Sequence, residues 1–484
     1  MIYSLLQKTL SNIQGVKCLE EEQTIRIAYS GNYLTSKPLY YAVNGIDVIF
    51  SYDFFEIVAC YQEHNELIIN KGILPFFLDK GYAPFDYTFV EHIFKLPNMT
   101  EIIIDKESLK LSYELCWCCN EIQNDISDCE LIEKSIIDCL DPKRKTVILF
   151  SGGYDSTLIA LIAKDYCGSG NIELVTGRMV GTNFIPNKLD AKYSKDIACA
   201  LGIDMHMIDV NVDQLNQNDI DSIILNQPNT AHFSLVFGGI RDSYKEVDCN
   251  FISGQQADSI LNFGSTSFIR FNKGRLEGSG ELLRRIFYLS NFKMAELVFK
   301  ILNRKLAEKR VQLALMCGYK KLPIIKDLNL YNNYVALYDS FSFKYKNREI
   351  LSSSFHLFYL FTHLSGSDAS GVLSNFSSIK YPLPFNSIKL IWHFVNKKYS
   401  FKEKWIPKKP IMDNLKKNKL IWEELKLRPN TPNSSYLDVF YHIADKLKLR
   451  SYYEKSVDKY KLDLPFCYNS YHLFRCLDRI YEKK

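Results

Sequence analysis

The hexamer Ser151-Gly152-Gly153-Tyr154-Asp155-Ser156 concentrates the residue types that handle phosphate. It follows an apolar run, Val147-Ile148-Leu149-Phe150, and opens a helical stretch. Adjacent glycines reach positive φ and let the backbone come close to an anion. The first N–H groups of a helix lack intrahelical partners, and the helix dipole favours negative charge there. Ser151, Ser156 and Thr157 add hydroxyl donors. A carboxylate at Asp155 beside phosphate oxygens calls for a cation between them, and Mg²⁺ is the ordinary choice. The loop therefore reads as a cradle for nucleotide phosphates. It is not a G-x-x-x-x-G-K-S/T loop. It is not a dinucleotide fingerprint either, because Gly168-Ser169-Gly170 follows the helix rather than preceding it. The rival reading is a strand-to-helix turn that is merely rich in glycine.

Such a loop needs a strand to aim it and a helix to lend its N-terminus. The pattern from residue 129 supplies both. A helix over 130–140 places apolar residues 132, 136, 137 and 140 on one face, and Asp141-Pro142 stops it. Strands are predicted at 146–150, 173–180, 205–210 and 249–253, with helices at 156–167, 188–201, 213–226 and 231–246 between them. Near-continuous apolar strands alternating with helices predict a doubly wound parallel sheet, an α/β fold. Residues 280–484 read as mostly helical, with proline-containing breaks at 322–323 and 382–384. Residues 1–128 read differently, as an α+β region. Leu39–Val43 and Asp47–Phe50 form a predicted hairpin through Asn44-Gly45. Glu101–Asp105 is a further strand, and 54–61 and 72–80 are helical. The expected domains are 1–128 and 129–484.

Composition excludes several classes. The chain has 484 residues, 47% hydrophobic and 24% charged, an ordinary globular balance, with no collagen-like or heptad repeat. A net charge of +5 is too mild to argue for nucleic acid. Residues 391–484, however, carry 21 basic against 11 acidic side chains. That basic quarter suits a polyanion, an acidic peptide or a nucleotide phosphate, or is simply a solvated lysine face. The start Met1-Ile2-Tyr3-Ser4 lacks a basic segment leading into an apolar one, and runs such as Phe355–Leu364 are too short to span a bilayer. A cytoplasmic protein with no membrane partner is expected. The 13 cysteines read as reduced thiols. Cys116, Cys118 and Cys119, with Cys129 and Cys139 beyond, lack paired C-x-x-C spacing and argue only weakly for zinc. His206 and His232 read as structural histidines, and Arg178 as a phosphate contact, a substrate contact or a surface ion pair.

With these residues in place, the chain resembles a known family. SGGxDS after a strand resembles the pyrophosphatase loop of the N-type ATP pyrophosphatases, specifically the asparagine synthetase group with its β-lactam synthetases and lasso-peptide macrolactam cyclases. Asn250–Ser259, reading NFISGQQADS, is similar to that group's strand followed by S-G-E-G-A-D-E. Asp190–Ala198 and Leu201-Gly202 are similar to its third helix. Pro38–Tyr41, Ile49–Ser51, Phe85–Thr88 and Ile93–Pro97 resemble the back half of its glutaminase-type (Ntn-like) domain. Three departures stand out. Ile2 replaces the N-terminal nucleophilic Cys, which implies a degenerate domain without glutaminase activity. Gln255 stands where the group commonly has Glu, and Ser259 where it has a second acid. Lys380–Asn386 matches only loosely the R-x-P-F-L-D segment.

The resemblance implies roles. ATP binds through Ser151, Gly152, Gly153, Asp155, Ser156 and Thr157, with Gly254 and Gln255 alongside. Adenine lies against Leu149, Phe150, Val175, Thr176 and Gly177. Asp155 and Asp258 hold Mg²⁺, and two carboxylates converging at the carboxyl edge of a parallel sheet agree with that assignment. Lys408-Lys409-Pro410-Ile411-Met412 resembles the K-x-x-L segment, whose lysine stabilises developing charge; Lys409 is the first expectation and Lys408 the second. The implied activity is ATP-dependent, AMP- and pyrophosphate-forming amide ligation. A carboxylate-bearing substrate, such as a peptide or small protein, is adenylated and attacked by an amine or by ammonia. Two alternatives stay open: a loop enzyme of this class modifying a nucleobase or tRNA, and a nucleotide-binding homologue that has lost turnover.

Overall fold

The computed structural model describes residues 3–4, 12–13, 15–30, 38–71, most of 73–115, 126–181, 188–224, 234–261, 379–380, 382–396, 408–427 and 436–481. Cys116, Cys118, Cys119, His232, the run 355–364 and most of 260–400, where the acyl pocket is expected, lie outside the described residues.

Side-chain alternation builds the N-terminal part. Its elements are β1 (Tyr3–Ser4), β2 (Val16–Glu20), β3 (Thr24–Tyr29), β4 (Tyr40–Asn44), β5 (Asp47–Ser51), α1 (Phe54–Gln62), β6 (Ile93–Lys95), β7 (Thr100–Asp105) and β8 (Leu111–Leu115). They form two antiparallel sheets, ordered β1-β5-β4-β6 and β2-β3-β7-β8. The β4–β5 hairpin turns through Gly45-Ile46, one residue beyond the expected Asn44-Gly45 centre: Asn44 still pairs with Asp47, and Gly45 takes φ of 64°. Successive strand residues face opposite ways. Tyr41, Val48 and Phe50 meet Ile25, Ile27, Ile102 and Ile104 of the second sheet. Tyr40, Ala42 and Ile49 meet Phe54, Ile57 and Val58 of α1. The layers are helix, sheet, sheet.

From residue 128 the rhythm is that of a wound sheet. In order come α2 (Asp128–Ile137), β9 (Lys145–Leu149), α3 (Tyr154–Cys167), β10 (Ile172–Val180), α4 (Lys188–Leu201), β11 (Met205–Asn211), α5 (Gln217–Ile224), α6 (Ser234–Tyr244), β12 (Cys249–Ser253) and α7 (Ala257–Leu261). After the undescribed span come β13 (Ile379–Lys380), α8 (Ile388–Asn396), α9 (Lys409–Leu415), α10 (Lys419–Leu427), α11 (Tyr436–Lys446), α12 (Leu449–Tyr460) and α13 (Tyr468–Tyr481). The five strands pair in parallel in the order β11-β10-β9-β12-β13, an α/β architecture. Parallel strands are buried on both faces, which explains their unbroken apolar runs. Ile148, Leu174 and Ile252 point to α2, α3 and α4. Val147, Val175 and Phe251 point to α6, α11 and α13.

Local signals set the boundaries. Ser127 and Glu130 form a reciprocal capping box at the start of α2, each accepting from the other's backbone N–H. The ammonium of Lys164 donates to the Leu201 carbonyl at 2.6 Å and so caps the end of α4. Helix α13 ties the two parts together. Leu473, Phe474, Leu477 and Ile480 pack with α1 and β4, while Tyr468 and Tyr471 pack under the parallel sheet. Asn469 donates to the Leu78 carbonyl at 2.8 Å, and Arg475 pairs with Asp221 of α5. Among the described residues no helix is long and apolar enough to cross a membrane.

Candidate active site

Strand β9 is central, flanked by β10 and β12, and its Val147 and Ile148 are fully buried. It ends at Leu149, and the chain turns through 150–153 into α3. Gly152 takes φ of 66°. A Cβ there would lie 2.9 Å from the Ser194 Cα of α4, so both the conformation and the space demand glycine. Gly153 is the N-cap of α3 and offers no side-chain acceptor to the first-turn N–H groups. The serines brace the turn. Ser156 Oγ accepts from the Ser151 N–H at 3.3 Å, and Ser151 Oγ accepts from the Gly153 N–H at 3.3 Å. Thr157 is fully buried, and its Oγ1 has no hydrogen-bond partner among the described residues.

A second loop lies against the first. Ser253 of β12 is in register with Leu149 of β9, so both strands deliver their following loops to one edge. A Cβ on Gly254 would lie 2.6 Å from the Asp155 Cβ and 3.2 Å from the Ser156 nitrogen. Gly254 is thus the close contact between the two loops. The Gln255 N–H donates to Ser253 Oγ at 3.3 Å, and Gln256 adopts positive φ of 71°. Asp258 lies in α7, just beyond this loop; its side chain is outside the described residues.

The two lysines diverge. Lys408 Nζ lies 2.5 Å from Asp155 Oδ2, with side-chain exposures of 16% and 18%. Lys409 instead pairs one turn along α9 with Asp413, which Lys416 also contacts at 3.1 Å. Burial works to raise the Asp413 pKa, but the hydrogen bonds from Lys409 and Lys416 outweigh it and hold the carboxyl below its usual range. The hairpin of α9 and α10 is fixed in the core beside α3 by Ile411, Leu415, Ile421 and Leu425. Trp422 stacks on Tyr154, ring centres 6.1 Å apart. Sequence reasoning did not find Ser194, Trp422 or Asp413. Nothing in their local pattern marks them, since each meets the loop or its lysines only across the fold.

The predicted adenine residues line the strand ends. Strand β10 runs on to Val180 beside β11, whereas β9 stops opposite Val175. The backbone of residues 176–180 therefore has an edge, among the described residues, that no strand covers. The Phe150 N–H donates to the Val175 carbonyl at 2.8 Å, and Thr176 Oγ1 donates to the Phe150 carbonyl. Phe150 and Val175 are buried. Gly177 is pressed against Val236 and Ile240 of α6, where a Cβ would clash. Beyond it, Arg178 forms a bidentate pair with Asp209. His206 contacts Glu173 at 3.0 Å, which makes it a structural partner on the α6 face of the sheet. Burial pushes the Cys129 thiol up, toward its protonated form.

The donor set suits an anion with a bound cation. Among the described residues, a positive-φ turn, a helix N-terminus and the Ser151 and Ser156 hydroxyls lie beside one carboxylate, Asp155. That fits Mg²⁺, which is usually held by one or two carboxylates plus phosphate oxygens.

Residues 129–240, which contain this loop, match the family model described as asparagine synthase. That segment is similar to asparagine synthase. A Methanocaldococcus jannaschii protein named provisionally as asparagine synthetase (glutamine-hydrolyzing) 2 is 23% identical over 156 residues, covering 31% of this chain and 30% of that relative. The match thus spans under a third of the relative's length. Solved structures found similar include the U34-tRNA thiolase NcsA of Methanococcus maripaludis with its [4Fe-4S] cluster, at 14% identity and a TM-score of 0.22, covering 48% of this chain and 78% of that one. Another is the NH3-dependent NAD synthetase of Campylobacter jejuni in complex with nitrate, at 19% identity and a TM-score of 0.20, covering 46% and 95%. The segment that matches the asparagine synthase model contains the cradle, β9, β10 and β11.

Proposed function

We propose that this protein is an ATP-dependent ligase that adenylates a substrate carboxylate and passes the acyl group to an amine, without glutaminase activity of its own. The observation that carries the reading is the Ser151–Ser156 turn, held open by Gly152 at the mouth of a parallel sheet with Asp155 beside it, inside the segment that matches the asparagine synthase family.

An unactivated carboxylate is a poor electrophile, and adenylation with loss of pyrophosphate makes it reactive. The protein's part is position and electrostatics. The first-turn N–H groups of α3 and the Ser151 and Ser156 hydroxyls receive the departing pyrophosphate. Asp155 and Asp258 are the residues that would hold Mg²⁺, which would supply positive charge against the phosphate oxygens. The uncovered edge of β10 at 176–180 takes the base. Lys408, on the loop, and Lys409, one residue on, supply positive charge for the tetrahedral stage. With Gln255 at the usual Glu position, the amine's proton leaves by another route. In this reading the helix–sheet–sheet region before residue 129 is a remnant glutaminase-type domain without amide hydrolysis of its own. The amine is then the substrate's own or free ammonia, which favours peptide or specialised-metabolite modification in the cytoplasm.

Pyrophosphate release with candidate carboxylates, ATP and Mg²⁺, beside Asp155→Ala, tests the reading. Release that depends on both carboxylate and Asp155 is expected. Intact mass of a peptide substrate would fall by one water on cyclisation. Binding of nucleotide with no release for any carboxylate tried would turn the assignment toward a homologue without turnover.

A further inference from the structure

The Lys408–Asp155 pair joins two points distant in the chain at the centre of the phosphate cradle. Its geometry is specific. Lys408 adopts a left-handed backbone, φ 56° and ψ 26°, directly before α9, whose first turn contains Pro410. A non-glycine residue in that region is strained, and such strain persists only where the surroundings fix it. Here the surroundings are the packed α9–α10 hairpin, with Ile411 and Leu415 fully buried and Trp422 stacked on Tyr154. The hairpin is thus built to hold the ammonium over Asp155. On the other side, Gly254 closes against the Asp155 Cβ.

From this arrangement we infer that Lys408 is a counter-cation that holds Asp155 until a divalent cation arriving with nucleotide phosphates takes its place. The inference rests on the nucleotide reading of the cradle. An ammonium at 2.5 Å occupies a carboxylate oxygen that a metal would use, so the two cations compete for Asp155. The pair is little exposed, and the incoming cation must offset its charge-assisted hydrogen bond. The nucleotide supplies negative charge for both cations at once. Exchange is therefore favoured only when metal and phosphates bind together, and metal alone is discriminated against. The released ammonium, one residue before α9, remains within the cradle as a charge for the reacting phosphate. Such a device ties the freeing of a catalytic charge to the loading of substrate.

The test is the Mg²⁺ concentration that half-saturates binding of α,β-methylene-ATP, present in excess, to the full chain. Lys408→Met, which keeps the chain length of the side chain and removes its charge, is expected to lower that midpoint about tenfold, a change of about 1.4 kcal/mol. Lys417→Met, an exposed neighbour, is expected to leave it within about twofold. If Lys408→Met does not fold, Lys408→Gly, which suits the left-handed backbone, carries the same comparison. An unchanged or raised midpoint in the Lys408 variant, with wild-type binding intact, overturns the exchange while leaving the nucleotide reading standing. Failure of the wild type to bind the analogue at any Mg²⁺ concentration overturns both.

Discussion

Replacing Gly152 by alanine probes the cradle most directly, because the structure supplies two separate costs. The residue sits at φ of 66°, where an alanine costs about 1–2 kcal/mol relative to glycine. Its Cβ would also meet the Ser194 Cα at 2.9 Å and the Ser194 nitrogen at 3.2 Å. Both are backbone atoms of α4 and cannot rotate aside. Overpacking of this kind costs about 1–3 kcal/mol more. Gly45, in the β4–β5 turn, is the internal reference. Its φ is 64°, but a Cβ there meets nothing within 4 Å. Gly45→Ala should therefore show the conformational cost alone, and Gly152→Ala that cost plus the collision. The measurements are urea midpoints and affinity for α,β-methylene-ATP with Mg²⁺. Gly152→Ala is expected to lose at least about 2 kcal/mol of stability, or to relieve the clash by moving the turn. A moved turn withdraws its N–H groups and lowers affinity at least tenfold. Gly45→Ala should lose about 1 kcal/mol and bind normally. If Gly152→Ala matched Gly45→Ala in both measurements, the close packing of α4 on the turn would be refuted.

Gly254→Ala should lower nucleotide affinity about tenfold by pushing Asp155 aside, since its Cβ would stand 2.6 Å from the Asp155 Cβ; equilibrium binding measures it, and unchanged affinity would show that the two loops do not brace each other. Burial works to raise the Glu173 pKa, but hydrogen bonds from Lys145 and Tyr244, with His206 nearby, outweigh it and hold the carboxyl below its usual range. The stability it contributes is present above the unfolded-state value of about 4.3 and lost as pH falls through the lower folded value. Glu173→Gln should therefore be less stable than wild type at neutral pH, with the gap closing as pH falls below about 4; equal gaps at both pH values would contradict this. Leu477→Ala, at a buried position of α13 packed on α1 and its sheet, should cost about 2–5 kcal/mol in denaturant unfolding. A cost under about 1 kcal/mol would mean that α13 is not the tie between the two parts.

Much of this protein is legible in the sequence because its signals are local. The alternation of apolar runs with helical stretches marks β9 through β12. The hexamer at 151–156 marks the cradle, since two glycines before a helix serve the same physical purpose wherever they occur. Gly45 marks a turn because glycine reaches positive φ cheaply. What tertiary structure decides is which distant residues meet these features. Both lysines at 408 and 409 look alike in sequence. A left-handed backbone turns the first to Asp155, and the helical pitch of α9 turns the second to Asp413. Ser194 limits Gly152 only because α4 packs there, and Gly254 meets Asp155 only because β12 pairs with β9. Periodicity fixes which face a residue takes on its own element; the three-dimensional packing of elements far apart in the chain fixes what that face touches.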